Sequence, residues 1–292
     1  MSALKALEHL YTISQPNMVG DGFRVYNAFP SGSRLPLQRL SPFFLLDYGA
    51  PFHFPPSEVP RGVDEHPHRG FETVTIAYQG AVSHRDSSGS QGVIREGDVQ
   101  WMTAASGVVH EEKHEHAFSR QGGILEMIQL WVNLPKAHKM DPPRYQTLLK
   151  TDIPLKEFGT GSYLRVIAGT YEDLTGPAQT FSPLVLLDGW LRQGDRLELK
   201  LPSGYHTALF LREGAGLNLQ HSAEAHGKQL AVFEDSGELI ELEATQDSGF
   251  LLMSGAPIEE PIVSYGPFVM NTKEEISQAI LDYQTGKMGH LD

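Results

Sequence analysis

The reading turns on His66-Pro67-His68-Arg69-Gly70-Phe71-Glu72 and on His110-Glu111-Glu112, about forty residues later. Alternate side chains of an extended strand point to one face. His66 therefore points with His68, and His110 with Glu112, whereas Glu111 points the other way. If the two strands lie side by side, three imidazoles and one carboxylate converge. That donor set suits a divalent transition metal such as iron, nickel, copper, manganese or zinc. A metal that prefers six ligands then keeps two positions open, the arrangement an oxygenase needs for substrate and dioxygen.

Working outward, Thr73 to Tyr78 reads as a buried strand ended by Gln79-Gly80. Ala81 to Asp86 reads as the next strand, and Val99 to Met102 and Ile124 to Val132 as further ones. Short strands punctuated by glycine predict a β-sandwich or barrel of the jelly-roll type. Trp101-Met102 is expected to pack the barrel. Phe43, Phe44, Tyr48, Phe52 and Phe54 crowd one Pro-rich segment, read as core and loop packing, or alternatively as a wall over the metal.

With 292 residues the chain has room for two domains. Gly and Pro number 29 and 19, which favours a turn-rich β architecture. The formal charge of −13 argues against direct nucleic-acid binding. With no cysteine, disulfides, thiolate metal sites and cysteine nucleophiles are excluded. No secretory signal and no transmembrane stretch is read, so the expected compartment is the cytoplasm, with the nucleus open to a eukaryotic chain. Polar, Pro-rich Lys136 to Arg144 is expected to link the domains. Thr272 to Gln284 is the best helix: Thr272 caps it, Glu275 completes a capping box, and Ile276, Ala279, Ile280 and Tyr283 recur at helical spacing.

The two halves look related. Phe71 to Ala81 resembles Tyr205 to Ala215, which sets Lys200 and Pro202 where His66 and His68 stand. A second pairing sets Ser106 to Glu112 against Ser254 to Glu260, with Ile258 in place of His110. The second half is thus expected to carry no metal. His114 and His116 form a rival pair read as a solvated strand end and loop. His84, His206, His221 and His226 have no partner at ligand spacing and receive no role.

DEHPHRGFETVTIAYQG (64–80), GDVQWMTAASGVVHEE (97–112), LWVNLPKAHKMDPPRYQ (130–146) and YGPFVMNTKEEISQAI (265–280) resemble the pirin family of the cupin superfamily. The resemblance runs from about residue 20 to residue 284. It implies an all-β bicupin, two stacked jelly-roll-like barrels with a short C-terminal helix. Residues 1–137 would form a metal-binding cupin domain and 138–292 a cupin domain without metal. His66, His68, His110 and Glu112 take the positions of the family's ligands. One metal per chain is implied, iron(II) first, with nickel, copper, manganese, cobalt or zinc as alternatives. Many cupins draw a glutamate from the first motif, where Glu72 stands. Arg69-Gly70 can turn the chain between, so Glu112 is taken as ligand and Glu72 as an outer or solvent-facing residue.

The resemblance implies two functions. One is a quercetin 2,3-dioxygenase, in which a flavonol such as quercetin binds through its 3-hydroxyl, dioxygen adds and carbon monoxide leaves. Glu112 is then the nearest base for the hydroxyl proton, and the aromatic segment supplies apolar contacts. The other is a non-enzymatic, iron-dependent, redox-sensing regulator that binds a protein partner. Neither calls for nucleic acid or a membrane as direct partner.

Overall fold

A computed structural model describes residues 3–212 and 214–291 of the chain. Apart from the helices His116–Gln121 and Lys273–Gln284 and a single 3-10 turn, its regular elements are strands. No helix among the described residues is long and apolar enough to cross a membrane. The C-terminal helix has the expected box: Thr272 accepts from the Glu275 amide at 3.1 Å, and the Glu275 carboxylate accepts from the Thr272 amide at 3.0 Å.

The chain forms two compact units, and they are not consecutive halves. One comprises Met1–Gln15, Tyr26–Phe43 and Thr151–Pro257; the other comprises Pro16–Val25, Phe44–Lys150 and Ile258–Asp292. Each end of the chain thus joins the unit built mainly from the opposite half. Strand Leu7–Thr12 pairs with Gln229–Phe233. The C-terminal segment buries Phe268, Met270, Ile276, Ala279 and Met288 against Val109. The expected linker Lys136 to Arg144 is no linker either. Arg144–Leu148 is a sheet strand paired with Val99–Thr103, and Lys139 is buried.

The histidine-bearing unit has a small sheet with the order Gly62–His68, Val108–His114, Ala81–Asp86, Gln91–Arg95. Its larger sheet runs Arg144–Leu148, Val99–Thr103, Phe71–Gln79, Gly123–Asn133, Phe43–Phe54 and onward. Gly70 breaks the alternation between His68 and Phe71. Its φ is +88°, and a Cβ there would lie 2.0 Å from the Val269 carbonyl oxygen, so only glycine fits.

The other unit repeats this order. Arg196–Lys200, Leu239–Gln246, Gly216–Leu219 and Ala223–His226 form its small sheet. Gln229–Phe233, His206–Leu211, Ser248–Gly255 and Leu184–Leu191 are neighbours in its larger one. The pairing of Phe71 to Ala81 with Tyr205 to Ala215 agrees with this order. The second pairing does not: the counterpart of Val108–His114 is Leu239–Gln246, so Ile258 is not the residue in place of His110. Ile240, Leu242 and Ala244 of that strand pack with Leu199, Leu217 and Leu219 in one apolar cluster. Where the histidine-bearing unit gathers histidines between its sheets, the other packs aliphatic and aromatic side chains.

Candidate metal centre

Pairing register brings the polar residues together. His110 lies opposite His66 on one side and opposite Asp86 on the other. A bulge follows on the His66 strand, so that Glu112 lies opposite Val63 and, on its other side, opposite His84. Parity then points His66, His68, His84, Asp86, His110 and Glu112 to one face of the sheet. Glu111 points to the other and accepts from Arg85 Nε at 2.5 Å.

His66, His68 and His110 offer ligand atoms that lie within 4.8 Å of one another. His84, His110 and Glu112 form a second such group. His66 donates from Nδ1 to the Asp64 carbonyl at 2.8 Å, and His68 from Nδ1 to the Pro267 carbonyl at 3.4 Å. A carbonyl only accepts, so each ring, in its neutral form, keeps a lone pair on Nε2. The His66 Nε2 lone pair faces His110 Nε2 at 2.9 Å. Either a proton or a cation belongs between them. Two nitrogens bound at right angles at about 2.1 Å from one metal would stand about 3.0 Å apart, so the spacing fits a ligand pair. Burial and neighbouring imidazoles hold His68 and His110 well below the usual histidine range, which keeps both rings neutral, the form that ligates. The donor set therefore fits a divalent metal.

The facing sheet presents a polar row, Gln100, Thr75 and Gln129, paired directly across three strands. Gln100 Nε2 donates to Glu112 Oε1 at 3.3 Å, while Thr75 Oγ1, 3.3 Å from the same oxygen, donates to Gln129 Oε1 at 2.6 Å. His66, His68 and Glu112 line one cavity of about 300 Å³ with Phe23, Val25, Val63, Met127, Trp131, Asp47 and Gln129. From the aromatic segment only Asp47 reaches the cavity; Phe43, Phe44, Tyr48 and Phe54 are buried in packing.

Glu72 is neither an outer partner of the metal site nor solvent-facing. It is 1% exposed and accepts from Thr103 Oγ1 at 2.7 Å. The turn at Gly70 shifts parity, so Phe71 and Thr75 take the interior and Glu72 the opposite side. Burial raises its carboxyl to about 7, against the Thr103 bond and Arg144. The native state then holds this proton between about pH 4.5 and 7 while the unfolded chain does not. Stability falls as pH rises through that window. Glu72→Gln removes the loss: against wild type it is expected to gain on the order of 3 kcal/mol between pH 4.5 and 8 in urea unfolding. A pH-independent difference would contradict this.

His114 is not solvated. It is fully buried, donates from Nε2 to the Gly22 carbonyl at 2.8 Å, and packs on Phe23, Phe54 and Phe118. His116 begins the short helix and is exposed.

Three contributions were missed from sequence. His84 Nδ1 lies 3.2 Å from His110 Nδ1, and His84 Nε2 lies 3.0 Å from Asp86 Oδ2. Arg69 donates to the Ser106 carbonyl and to Asp282, which fixes the backbone beside His68. Lys139 donates to the Gly70 and Val269 carbonyls and to Asn133 Oδ1. The alternation His84-Arg85-Asp86 was the one available signal, since it repeats the parity of His110 and Glu112.

Comparison with known proteins agrees with this architecture. The Pirin family pattern matches residues 22–132, and the Pirin C-terminal cupin domain matches residues 186–289. A Pseudomonas aeruginosa protein named "putative quercetin 2,3-dioxygenase" is 50% identical over 286 residues, 97% of this chain and 98% of its own length. A pirin-like protein of Solanum lycopersicum is 40% identical over 92% of this chain and 88% of its own. The crystal structure of a quercetin 2,3-dioxygenase from Acinetobacter baumannii superposes with a TM-score of 0.95 at 50% identity, covering 99% of this chain and 100% of that one. With both cupin units matched and the histidine cluster in its first-half motifs, the chain belongs to the pirin family and has the bicupin fold.

Proposed function

We propose that the chain is a mononuclear metal-dependent dioxygenase that opens a flavonol such as quercetin with dioxygen and releases carbon monoxide. His66, His68, His110 and Glu112 hold one metal per chain, iron(II) in the cell. The histidine-bearing cupin unit carries it, and the second cupin unit carries none. The observation behind this reading is that His66, His68 and Glu112, clustered with His110, line an apolar cavity of about 300 Å³, at the lower end of the range for small-ligand sites. The names of the two relatives at 50% identity support the substrate class.

Bound there, the metal supplies Lewis-acid and redox chemistry toward dioxygen and the flavonol. The rest is the work of side chains. Glu112, held by the Gln100 amide, is the base that takes the flavonol 3-hydroxyl proton. Phe23, Val25, Val63, Met127 and Trp131 flank the planar rings and exclude water, while Gln129 and Asp47 offer polar contacts to ring hydroxyls. Both atoms of dioxygen enter the ring-opened ester, and the carbon bearing the 3-hydroxyl leaves as carbon monoxide with its own oxygen. The reaction thus needs no external reductant.

The test is the flavonol absorbance of quercetin mixed with iron(II)-loaded protein. A shift on anaerobic mixing, followed by bleaching when air is admitted, is expected. Absence of bleaching with one iron bound per chain would contradict the enzymatic reading and favour the redox-sensing regulator with a protein partner.

A further inference from the structure

The spacing of His66 and His110 leaves one matter open: whether His110 turns a proton or a lone pair toward His66. A chain of bonds on the far side of His110 decides it. Asp86 Oδ1 accepts from the Ser88 amide at 2.9 Å, the Ser88 hydroxyl at 2.6 Å and the Ser90 amide at 3.2 Å. Its other oxygen, Oδ2, faces His84 Nε2 at 3.0 Å. A carboxylate oxygen accepts, so His84 carries a proton on Nε2, and in the neutral ring Nδ1 is then a lone pair.

A second bond leads to the same tautomer. The Gln100 amide turns its nitrogen to Glu112 Oε1 at 3.3 Å, while its oxygen accepts from Tyr145 Oη at 3.1 Å. That nitrogen also stands 3.4 Å from His84 Nδ1 and only donates. His84 Nδ1 is therefore an acceptor on both counts. Its remaining neighbour, His110 Nδ1 at 3.2 Å, must supply the hydrogen. The His84 ring cannot swing away, because it stacks on Tyr145 with centroids 4.9 Å apart and is 3% exposed.

We infer that Asp86 and His84 act as positioning residues that fix His110 as its Nδ1–H tautomer, so that Nε2 is left as a lone pair for the metal. The inference rests on the metal reading above. His66 and His68 have backbone carbonyls in this role. His110 alone depends on side chains, so it is the ligand whose tautomer a substitution can invert.

Asp86→Asn is the discriminating variant. The Ser88 and Ser90 amides donate to the Oδ1 position, so the asparagine oxygen stays there and its NH₂ turns to His84 Nε2. His84 must then accept at Nε2 and carry its proton on Nδ1. Facing that proton, His110 moves its own to Nε2, the position the metal needs.

The experiment starts on metal-free protein, with ring ¹⁵N shifts read by long-range ¹H–¹⁵N NMR. Wild type is expected to show His110 protonated at Nδ1, with the half-buried His66 ring drawn back from it while no cation stands between them, and Asp86→Asn to show it protonated at Nε2. Nickel(II) affinity, measured by chelator competition, is expected to fall about 10- to 100-fold in the variant, with an unchanged melting temperature of the metal-free form. Wild-type His110 found protonated at Nε2 overturns the inference with no variant needed. So does Asp86→Asn that binds nickel as wild type does, or a stoichiometry of two metals per chain with the second held by His84 and His110. A wild type that binds no metal while its His110 carries the proton on Nδ1 overturns the metal reading and leaves the tautomer assignment standing.

Discussion

His66→Ala is expected to abolish stoichiometric metal binding while leaving the metal-free fold intact. His66 is half-buried near the end of its strand, and its outer nitrogen is held by the Asp64 carbonyl two residues away. Its ring lines the existing cavity, so its removal enlarges that space and opens none in the apolar core. What is lost is the nitrogen 2.9 Å from His110 Nε2. Affinity should fall by more than about 100-fold, beyond the usual effect of losing an outer hydrogen-bond partner. The metal-free melting temperature should stay within about 4 °C of wild type. Metal content is read by elemental analysis after gel filtration. Full metal content in the variant would refute the ligand set.

Lys139→Met is expected to be the most destabilising of the substitutions considered, by roughly 3–5 kcal/mol in urea unfolding. Lys139 is 1% exposed, and its three N–H groups meet three acceptors at 2.6–2.9 Å. Methionine keeps the volume and removes all three donors, leaving two buried carbonyls and one amide oxygen unpaired. The consequence reaches the histidine cluster. Lys139 ties the Gly70 turn to Val269, and Pro267, two residues before Val269, holds His68 through its carbonyl. Metal affinity should therefore fall in parallel with stability. A loss below about 1 kcal/mol would show that these acceptors find other donors.

The clustered histidines were legible because strand parity is local. His66 with His68, and His110 with Glu112, need only the two-residue period to share a face. The register that sets His110 against both His66 and Asp86 is a long-range fact, and it is what recruits His84. Glu72 shows the limit of parity: one glycine at positive φ moved it to the opposite side of its strand. The buried His114 shows another, since a charged neighbourhood in sequence said nothing of the three phenylalanines that surround it.

The units illustrate the same division between local and long-range information. The capped helix Lys273–Gln284 could be read in place because its signals lie within the segment itself. That it packs with Val109, and that Leu7–Thr12 pairs with Gln229–Phe233, depends on partners more than a hundred residues away. The internal repeat was visible where hydrophobic strands align. It was misaligned at Ser254 to Glu260, where a similar Ser-Gly start stood in for the true counterpart, Leu239–Gln246.

The most direct test of the central claim is the simultaneous measurement of dioxygen uptake and carbon monoxide release by iron(II)-loaded protein with quercetin, using His66→Ala as control. One carbon monoxide per dioxygen consumed is expected, lost in the variant together with its metal. Uptake without carbon monoxide, or equal turnover in a metal-free His66→Ala protein, would contradict a dioxygenase centred on these residues.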